Sequence, residues 1–154
     1  MPYAILALVL VALDQLVKFL VVRNIPLNGH MDFIPHVLEL TYVQNTGAAF
    51  SIFNEHTWLL TLISLVMSIV LGAAVFKKFF RHPFGRTALT MLFAGAVGNL
   101  IDRAVLHYVV DMFNPLFMRF AVFNVADICV VVGGIAAAVY YLFFYDKLEN
   151  GGKL

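Results

Sequence analysis

Residues 57–76 read TWLLTLISLVMSIVLGAAVF, from Thr57 to Phe76, without a single charged side chain. The hydrocarbon core of a bilayer is about 30 Å thick, and a helix needs about 20 apolar residues to cross it. A helix is required there because all its backbone hydrogen bonds are made within the segment. The stretch therefore predicts a membrane-spanning helix.

Three further stretches have the same character. They run from about Tyr3 to Val22, from after Arg86 through Ile101 to Asp102 and Arg103, and from near Asn124 to Tyr145. The first lacks a basic leader and ends in Val21-Val22-Arg23 rather than in small residues, so we expect a retained span and not a cleaved signal peptide. We expect one domain over residues 1–154, with four transmembrane helices.

The composition excludes several other classes of protein. Of 154 residues, 62% are hydrophobic and 12% charged, against about 45–50% and about 25% in soluble domains. A net charge of +1 argues against a nucleic-acid partner, and Cys129, as the single cysteine, can form no internal disulfide. The sequence is that of a protein surrounded by lipid.

Basic residues predict the orientation, because short cytoplasmic loops are enriched in Lys and Arg. Four of them lie in the link between the second and third spans: Lys77, Lys78, Arg81 and Arg86. We therefore expect this link and both termini in the cytoplasm, and the two longer links outside.

The outer links contain two strand-like segments, His36–Val43 and Tyr108–Phe113, and Asn45-Thr46-Gly47 is typical of a turn. Residues 48–53, AAFSIF, favour an interfacial helical segment. The expected fold is thus an all-α integral membrane protein, a four-transmembrane-helix bundle with a small extracytoplasmic β-sheet and an interfacial helix.

Ionisable residues within membrane spans are costly, so each is a candidate for function. Asp14 and Lys18 are spaced as an i, i+4 pair, which also suits a purely structural ion pair facing the protein interior. Asn99 and Asp102 share one face of the third span. Arg103 can pair with Asp102, with another acidic partner or with a carbonyl.

Asn124 and Asp127 open the fourth span with the spacing of a helix N-cap and its third residue, and capping alone is one explanation for them. Asp111, in an outer link between apolar neighbours, is either a solvated loop residue or a functional one. If Asp111 and Asp127 lie close together, repulsion between their charges keeps one protonated and one ionised. Such a pair can activate water and protonate a leaving amine, which is the chemistry of peptide hydrolysis without a metal or a covalent nucleophile.

Other catalytic schemes find less support. The five histidines show no metal-binding spacing, so we expect no metal site. Cys129 lies in an apolar run, where a thiol more often packs than reacts.

Five blocks in order carry a resemblance to a known family. They are Asp14-x-x-x-Lys18, residues 45–50 (NTGAAF), residues 98–103 (GNLIDR), Val109-Val110-Asp111 and residues 123–127 (FNVAD). Together they resemble lipoprotein signal peptidase, or signal peptidase II. The resemblance implies an aspartic endopeptidase of the bacterial cytoplasmic membrane, which removes signal peptides from diacylglyceryl-modified prolipoproteins immediately before the lipidated cysteine.

The resemblance also implies roles for residues. The catalytic dyad falls on Asp111 and Asp127, near the extracytoplasmic face. The positions that line the site or support it are Asn45, Asn99, Arg103, Asn124, Asp14, Lys18 and Asp102. We expect prolipoprotein substrates and membrane lipids as partners, no nucleic acid, no cofactor and a monomer.

Two other functions remain open from the residues alone. An ion- or proton-coupled transporter would use intramembrane carboxylates, but would spread them through the full membrane thickness. A non-catalytic membrane scaffold would explain the glycines and the ion pair, but not the collection of acids on one side.

Overall fold

The protein, represented by a computed structural model, is described for residues 1–47 and 57–149. In chain order its elements are α1 (Pro2–Asn24), β1 (His30–Ile34), β2 (Leu38–Asn45), α2 (Thr57–Phe76), α3 (Pro83–Leu106), β3 (Val109–Pro115), α4 (Val125–Phe143) and α5 (Tyr145–Glu149). The helices α1 to α4 are long and apolar enough to cross a membrane. The prediction of four spans and a small sheet is confirmed.

The ends of the spans depend on local signals. Helix α3 begins at Pro83, before the predicted start after Arg86, because the His82 side chain accepts a hydrogen bond from the Phe84 amide and proline suits the first helical turn. Helix α4 ends at Phe143 and the short α5 follows, so the predicted span to Tyr145 was slightly too long.

Helix α3 is the centre of the bundle and packs against α1, α2 and α4. Glycines permit the closest approach. A Cβ at Gly95 would collide with the Ala126 carbonyl oxygen and lie 2.7 Å from Val130 Cγ2. At Gly133 it would lie 2.9 Å from the Ala88 carbonyl oxygen. The α3–α4 interface therefore requires these glycines.

The three strands form an antiparallel sheet in the order β1-β2-β3. Strand β2 begins at Leu38 rather than at the predicted His36, because His36 adopts a left-handed turn conformation with φ 62°. Strand β1 was not predicted. The segment predicted as a strand at Tyr108–Phe113 is β3, which runs from Val109 to Pro115.

A buried apolar cluster attaches the sheet to one end of the bundle. Val21 and Ile25 at the end of α1 pack with Tyr42 of β2 and with Val110 and Met112 of β3. We call this the sheet end. Helices α1 and α3 finish there, while α4 begins there, so the polar residues near those helix termini are brought together.

The segment after β2 is only partly described. The Asn45 side chain accepts a hydrogen bond from the Gly47 amide at 3.0 Å, which is the predicted turn. The predicted interfacial helix over residues 48–53 lies outside the described residues.

Candidate active site

Strand β3 holds Asp111 at the sheet end with its side chain almost completely buried, at 2% exposure. Both carboxyl oxygens accept amide hydrogen bonds, one from Asn45 Nδ2 at 2.8 Å and one from Asn124 Nδ2 at 2.7 Å. Because Asn45 comes from β2 and Asn124 precedes α4, Asp111 is fixed by three parts of the fold.

The environment of Asp111 favours its protonated form. Burial raises the pKa of its carboxyl to about 6, and the negative charge of Asp127 adds to the rise, while the hydrogen bonds from Asn45 and Asn124 oppose it. Asp111 is thus suited to exchange a proton near neutral pH.

Asp127 lies in the first turn of α4, where Asn124 is the N-cap. The Asn124 side chain accepts from the Asp127 amide at 2.8 Å, and Asp127 Oδ2 accepts from the Asn124 amide at 3.1 Å. This capping box is the structural role predicted for the pair. Asp127 Oδ1 also accepts a hydrogen bond from Asn99 Nδ2 of α3 at 2.8 Å, so the contacts of this carboxylate are not limited to the helix cap.

Two asparagines connect the aspartates. Asn124 Nδ2 donates to Asp111 Oδ1 at 2.7 Å and to Asn99 Oδ1 at 3.1 Å, and Asn99 in turn donates to Asp127. Asn124 is completely buried. The asparagines therefore fix both carboxyl groups in one hydrogen-bonded chain.

Beneath this chain lies a buried ionic cluster. Lys18 Nζ is 2.8 Å from Asp14 Oδ2, 3.0 Å from Asp102 Oδ2 and 3.2 Å from Asn99 Oδ1. The predicted Asp14–Lys18 ion pair is present, and Asp102 shares the same ammonium group. Through Asn99, the cluster is one hydrogen bond removed from Asp127.

The two carboxylates of this cluster also hold backbone at the site. Asp14 Oδ1 accepts from the Ala126 amide at 2.8 Å, and Asp102 Oδ2 accepts from the Val110 amide at 3.0 Å. Each bonded amide belongs to the residue before Asp127 or Asp111. A carboxylate from α1 or α3 therefore fixes the backbone beside each aspartate.

Gln15 belongs to this cluster and was missed in the sequence. Its Nε2 lies 3.2 Å from Asp14 Oδ2, 3.2 Å from the Gly98 carbonyl oxygen and 3.0 Å from Asp102 Oδ1. The signal that points to it is a polar amide beside Asp14 in an apolar span, since such a group is costly in lipid unless it is bonded.

Arg103 takes the carbonyl alternative among its predicted partners. Its guanidinium donates to Ser64 Oγ at 3.3 Å and to the Gly47 carbonyl oxygen at 3.5 Å. It thereby links α3 to α2 and to the turn after Asn45.

The aspartates face a common cavity of about 410 Å³. Of the candidate residues, Asn45, Asn99, Arg103, Asp111 and Asp127 line it, whereas Asn124, Asp14, Lys18 and Asp102 are not among its lining residues. Its remaining walls are apolar and come from Val109, the segment 120–123 and the α4 residues Ile128 and 130–132. The cavity is therefore lined by both aspartates and by a largely hydrophobic wall.

The polar groups that line the cavity are carboxyl groups, side-chain amides and one guanidinium. Over the described ranges 1–47 and 57–149, no three His, Cys, Asp or Glu side chains converge as a metal site would require. The chemistry open to the described side chains is proton transfer by the two carboxyl groups, with charge stabilisation by Arg103.

Sequence comparison gives a family match. The model of the family described as signal peptidase (SPase) II matches residues 6–144. A lipoprotein signal peptidase of Enterococcus faecalis is 40% identical over 151 residues, which cover 98% of this chain and 93% of that protein. One from Clostridioides difficile is 38% identical, covering 96% and 99%.

Solved structures agree with this match. Two structures described as bacterial membrane enzymes superpose with TM-scores of 0.86 and 0.83. The first is 28% identical and covers 99% of this chain and 93% of its own, and the second is 29% identical and covers 93% and 94%.

Proposed function

The chain belongs to the signal peptidase II family of aspartic peptidases, and from that premise we propose that Asp111 and Asp127 are its catalytic pair. Cleavage of prolipoprotein signal peptides is the activity of this family. The protein is accordingly a multi-pass enzyme of the bacterial inner membrane, with four spans.

The observation that carries the proposal is the shared cavity. Asp111 and Asp127 both line it, although they come from a strand and a helix, and each is held by its own amide donors. Two carboxyl groups in one poorly solvated site cannot easily both ionise, so the pair holds a single proton at neutral pH. The proton belongs to the pair and not to either residue.

In the proposed reaction, the ionised carboxylate removes a proton from a water molecule, whose oxygen attacks the scissile carbonyl carbon. The resulting tetrahedral intermediate carries its negative charge on the former carbonyl oxygen, where the Arg103 guanidinium can stabilise it. The protonated carboxyl then gives its proton to the leaving amide nitrogen as the carbon–nitrogen bond breaks. The products are a carboxylic acid and an amine.

The cavity suits a substrate that is itself a membrane segment. Its apolar wall includes Ile128, Val131 and Val132 of α4, all of which are also exposed on the surface of the bundle. Helix α2 packs extensively only against α3 among the described elements, so lipid can reach the site between α2 and α4. We propose that a diacylglyceryl-modified prolipoprotein enters laterally and is cut immediately before its lipidated cysteine.

Orientation follows from charge in this proposal. Lys77, Lys78 and Arg81 lie between α2 and α3, and Arg86 lies in the first turn of α3, at the end opposite the sheet. With this end and both termini in the cytoplasm, the sheet end and the aspartates face outward. Signal peptides of exported proteins are available on that side.

The remaining candidate residues have positioning roles in the proposal. Asn45, Asn99 and Asn124 orient the carboxyl groups, and the amides of Asn45 and Asn99, which line the cavity, can also bond an unwound substrate backbone. Lys18 balances the charges of Asp14 and Asp102, whose carboxylates hold the backbone beside the pair. The enzyme acts without a cofactor and as a monomer.

The test is cleavage of a purified diacylglyceryl-modified prolipoprotein in lipid vesicles, with the product mass measured by mass spectrometry. We expect the parent to cut before the lipidated cysteine, and Asp111→Asn and Asp127→Asn to lose activity by at least about a hundredfold. Asp32→Asn, a change at an exposed aspartate of β1, is the matched control and retains activity.

Thermal unfolding in detergent shows whether each inactive variant is folded. A folded Asp111→Asn or Asp127→Asn protein that cleaves at the parental rate contradicts the catalytic pair. Treatment with a metal chelator leaves the rate unchanged if the carboxyl groups act alone, and loss of activity on chelation would point to a metal mechanism.

A further inference from the structure

Away from the aspartates, the outer part of the sheet has one apolar and one polar face, as its strand register shows. Residues paired across neighbouring strands project to the same side of a sheet. Met31 pairs with Leu40, which pairs with Phe113, whereas Asp32 pairs with Glu39, which pairs with Asn114. Asn114 Nδ2 also donates to Glu39 Oε1 at 2.6 Å, which links two residues of the polar face.

The apolar face is only partly covered by protein. Leu40 and Phe113 pack against the buried cluster that joins the sheet to α1. On the edge strand β1 the same face continues, but there Met31 is 49% exposed and Ile34 46% exposed. Phe33, at the bulge between them, is 57% exposed. The apolar side chains on this edge of the sheet are therefore not fully covered by any described part of the chain.

The segment after β3 enlarges this surface. Leu116 donates its amide to the Val37 carbonyl oxygen at 2.9 Å, which joins it to the turn between β1 and β2. Val37, Leu116 and Phe117 are all exposed. We define the hairpin patch as Met31, Phe33, Ile34, Val37, Leu116 and Phe117. Contiguous apolar surface of this kind marks a binding or membrane contact.

We propose that the hairpin patch rests in the lipid leaflet at the sheet end, at the boundary between headgroups and acyl chains. The patch continues a surface that already contacts lipid. Exposed apolar residues of the last turns of α1, Leu20 and Val22, are followed by exposed Leu27 and then by Met31 of β1.

The strand chemistry limits how deep the patch lies. Strand β1 pairs only with β2 within the described sheet, so its outer edge presents unpaired backbone groups. Such groups are intolerable in the hydrocarbon core but can bond water and headgroups at its surface. His30 and Asp32, on the other face of β1, also indicate a shallow position. The apolar side chains would face the acyl chains and these polar side chains would face water.

Tryptophan fluorescence tests this proposal, because the chain has one tryptophan, Trp58. In a Trp58→Phe background, Phe33→Trp places a reporter in the patch and Asp32→Trp places one on the polar face. Both sites are exposed on the edge strand, so neither substitution disturbs packing. The proteins are reconstituted in phosphatidylcholine vesicles whose acyl chains carry bromine either near the headgroup or near the terminal methyl.

We expect the Phe33→Trp protein to lose most of its emission with the shallow bromine and much less with the deep bromine, whereas the Asp32→Trp protein keeps its emission in both. Equal emission of the two variants in all vesicles overturns the proposal. A Phe33→Trp reporter that is shielded from water only at a high protein-to-lipid ratio also overturns the proposal, since a second copy of the chain would then cover the patch.

Discussion

At the scale of a residue, the burial of Asp111 has a cost in stability. Burial raises its pKa to about 6 from an ordinary value of 3.8. The folded protein therefore binds this proton more tightly than the unfolded chain does. Between about pH 4 and about pH 6, the contribution of Asp111 to the free energy of unfolding falls as pH rises, because the folded state holds the proton that the unfolded chain has lost.

We predict that Asp111→Asn removes this pH-dependent cost. The difference in free energy of unfolding between the variant and the parent shifts in favour of the variant by about 1–3 kcal/mol when the pH is raised from about 4 to about 7. Each unit by which the pKa is raised corresponds to about 1.4 kcal/mol. Thermal unfolding of both proteins in detergent at the two pH values measures the difference. All other titrating groups are common to both proteins, so a difference that does not change with pH contradicts the raised pKa.

Sequence reasoning found the polar residues more easily than their partners. The i, i+4 spacing was enough to predict the Asp14–Lys18 pair, and the spacing of Asn124 and Asp127 was enough for the helix cap. The contacts of Lys18 with Asp102, and of Arg103 with the Gly47 carbonyl, join residues far apart in the chain. They depend on how α1, α2 and α3 pack, which no local spacing encodes.

At the scale of an element, the close approach of α3 and α4 sets the position of Asp127. A Cβ at Gly95 would collide with the Ala126 carbonyl oxygen, next to Asp127, whereas one at Gly134 would meet only Leu92 Cδ2 at an ordinary 3.7 Å. Of the two adjacent glycines in α4, Gly133 therefore lies at the closely packed interface and Gly134 does not.

The two glycines therefore give a matched pair of substitutions. We predict that Gly95→Ala lowers the free energy of unfolding by about 1–3 kcal/mol and reduces cleavage, because the added methyl group forces the helices apart. Gly134→Ala leaves stability equal or raises it by up to about 1 kcal/mol, since alanine is the better helix former. Thermal unfolding and cleavage assays measure both variants, and equal effects would contradict the close-packed interface.

Strands were harder to predict than spans. A membrane span is marked by its length and apolar character, but β1 consists of the five residues HMDFI, with a charge among apolar neighbours and a bulge at its end. Its pairing with β2, and the shared apolar face that results, supply the stability that its own composition does not. The sequence predicted a small sheet containing β2 and β3, but it did not predict β1.

At the scale of the whole molecule, the fold brings one carboxyl group from a sheet and one from a helix to the same cavity. Four successive spans imply an up-and-down order of the helices, which places the end of α3 and the start of α4 together at the sheet end. Attachment of the sheet through Val21, Ile25 and Tyr42 then carries Asp111 to the start of α4. The sequence alone could not show that Asp111 and Asp127 face the same cavity, because this depends on how the sheet packs against the helices.

We propose that Asp111 and Asp127 act as one catalytic unit. The most direct measurement compares the cleavage rate of the Asp111→Asn/Asp127→Asn double variant with those of the two single variants, each shown to be folded. The effects of substituting residues that act as a unit are strongly non-additive, so we predict that the double variant is no slower than the slower single variant. Losses that multiply in the double variant, or a single variant with parental activity, would contradict it.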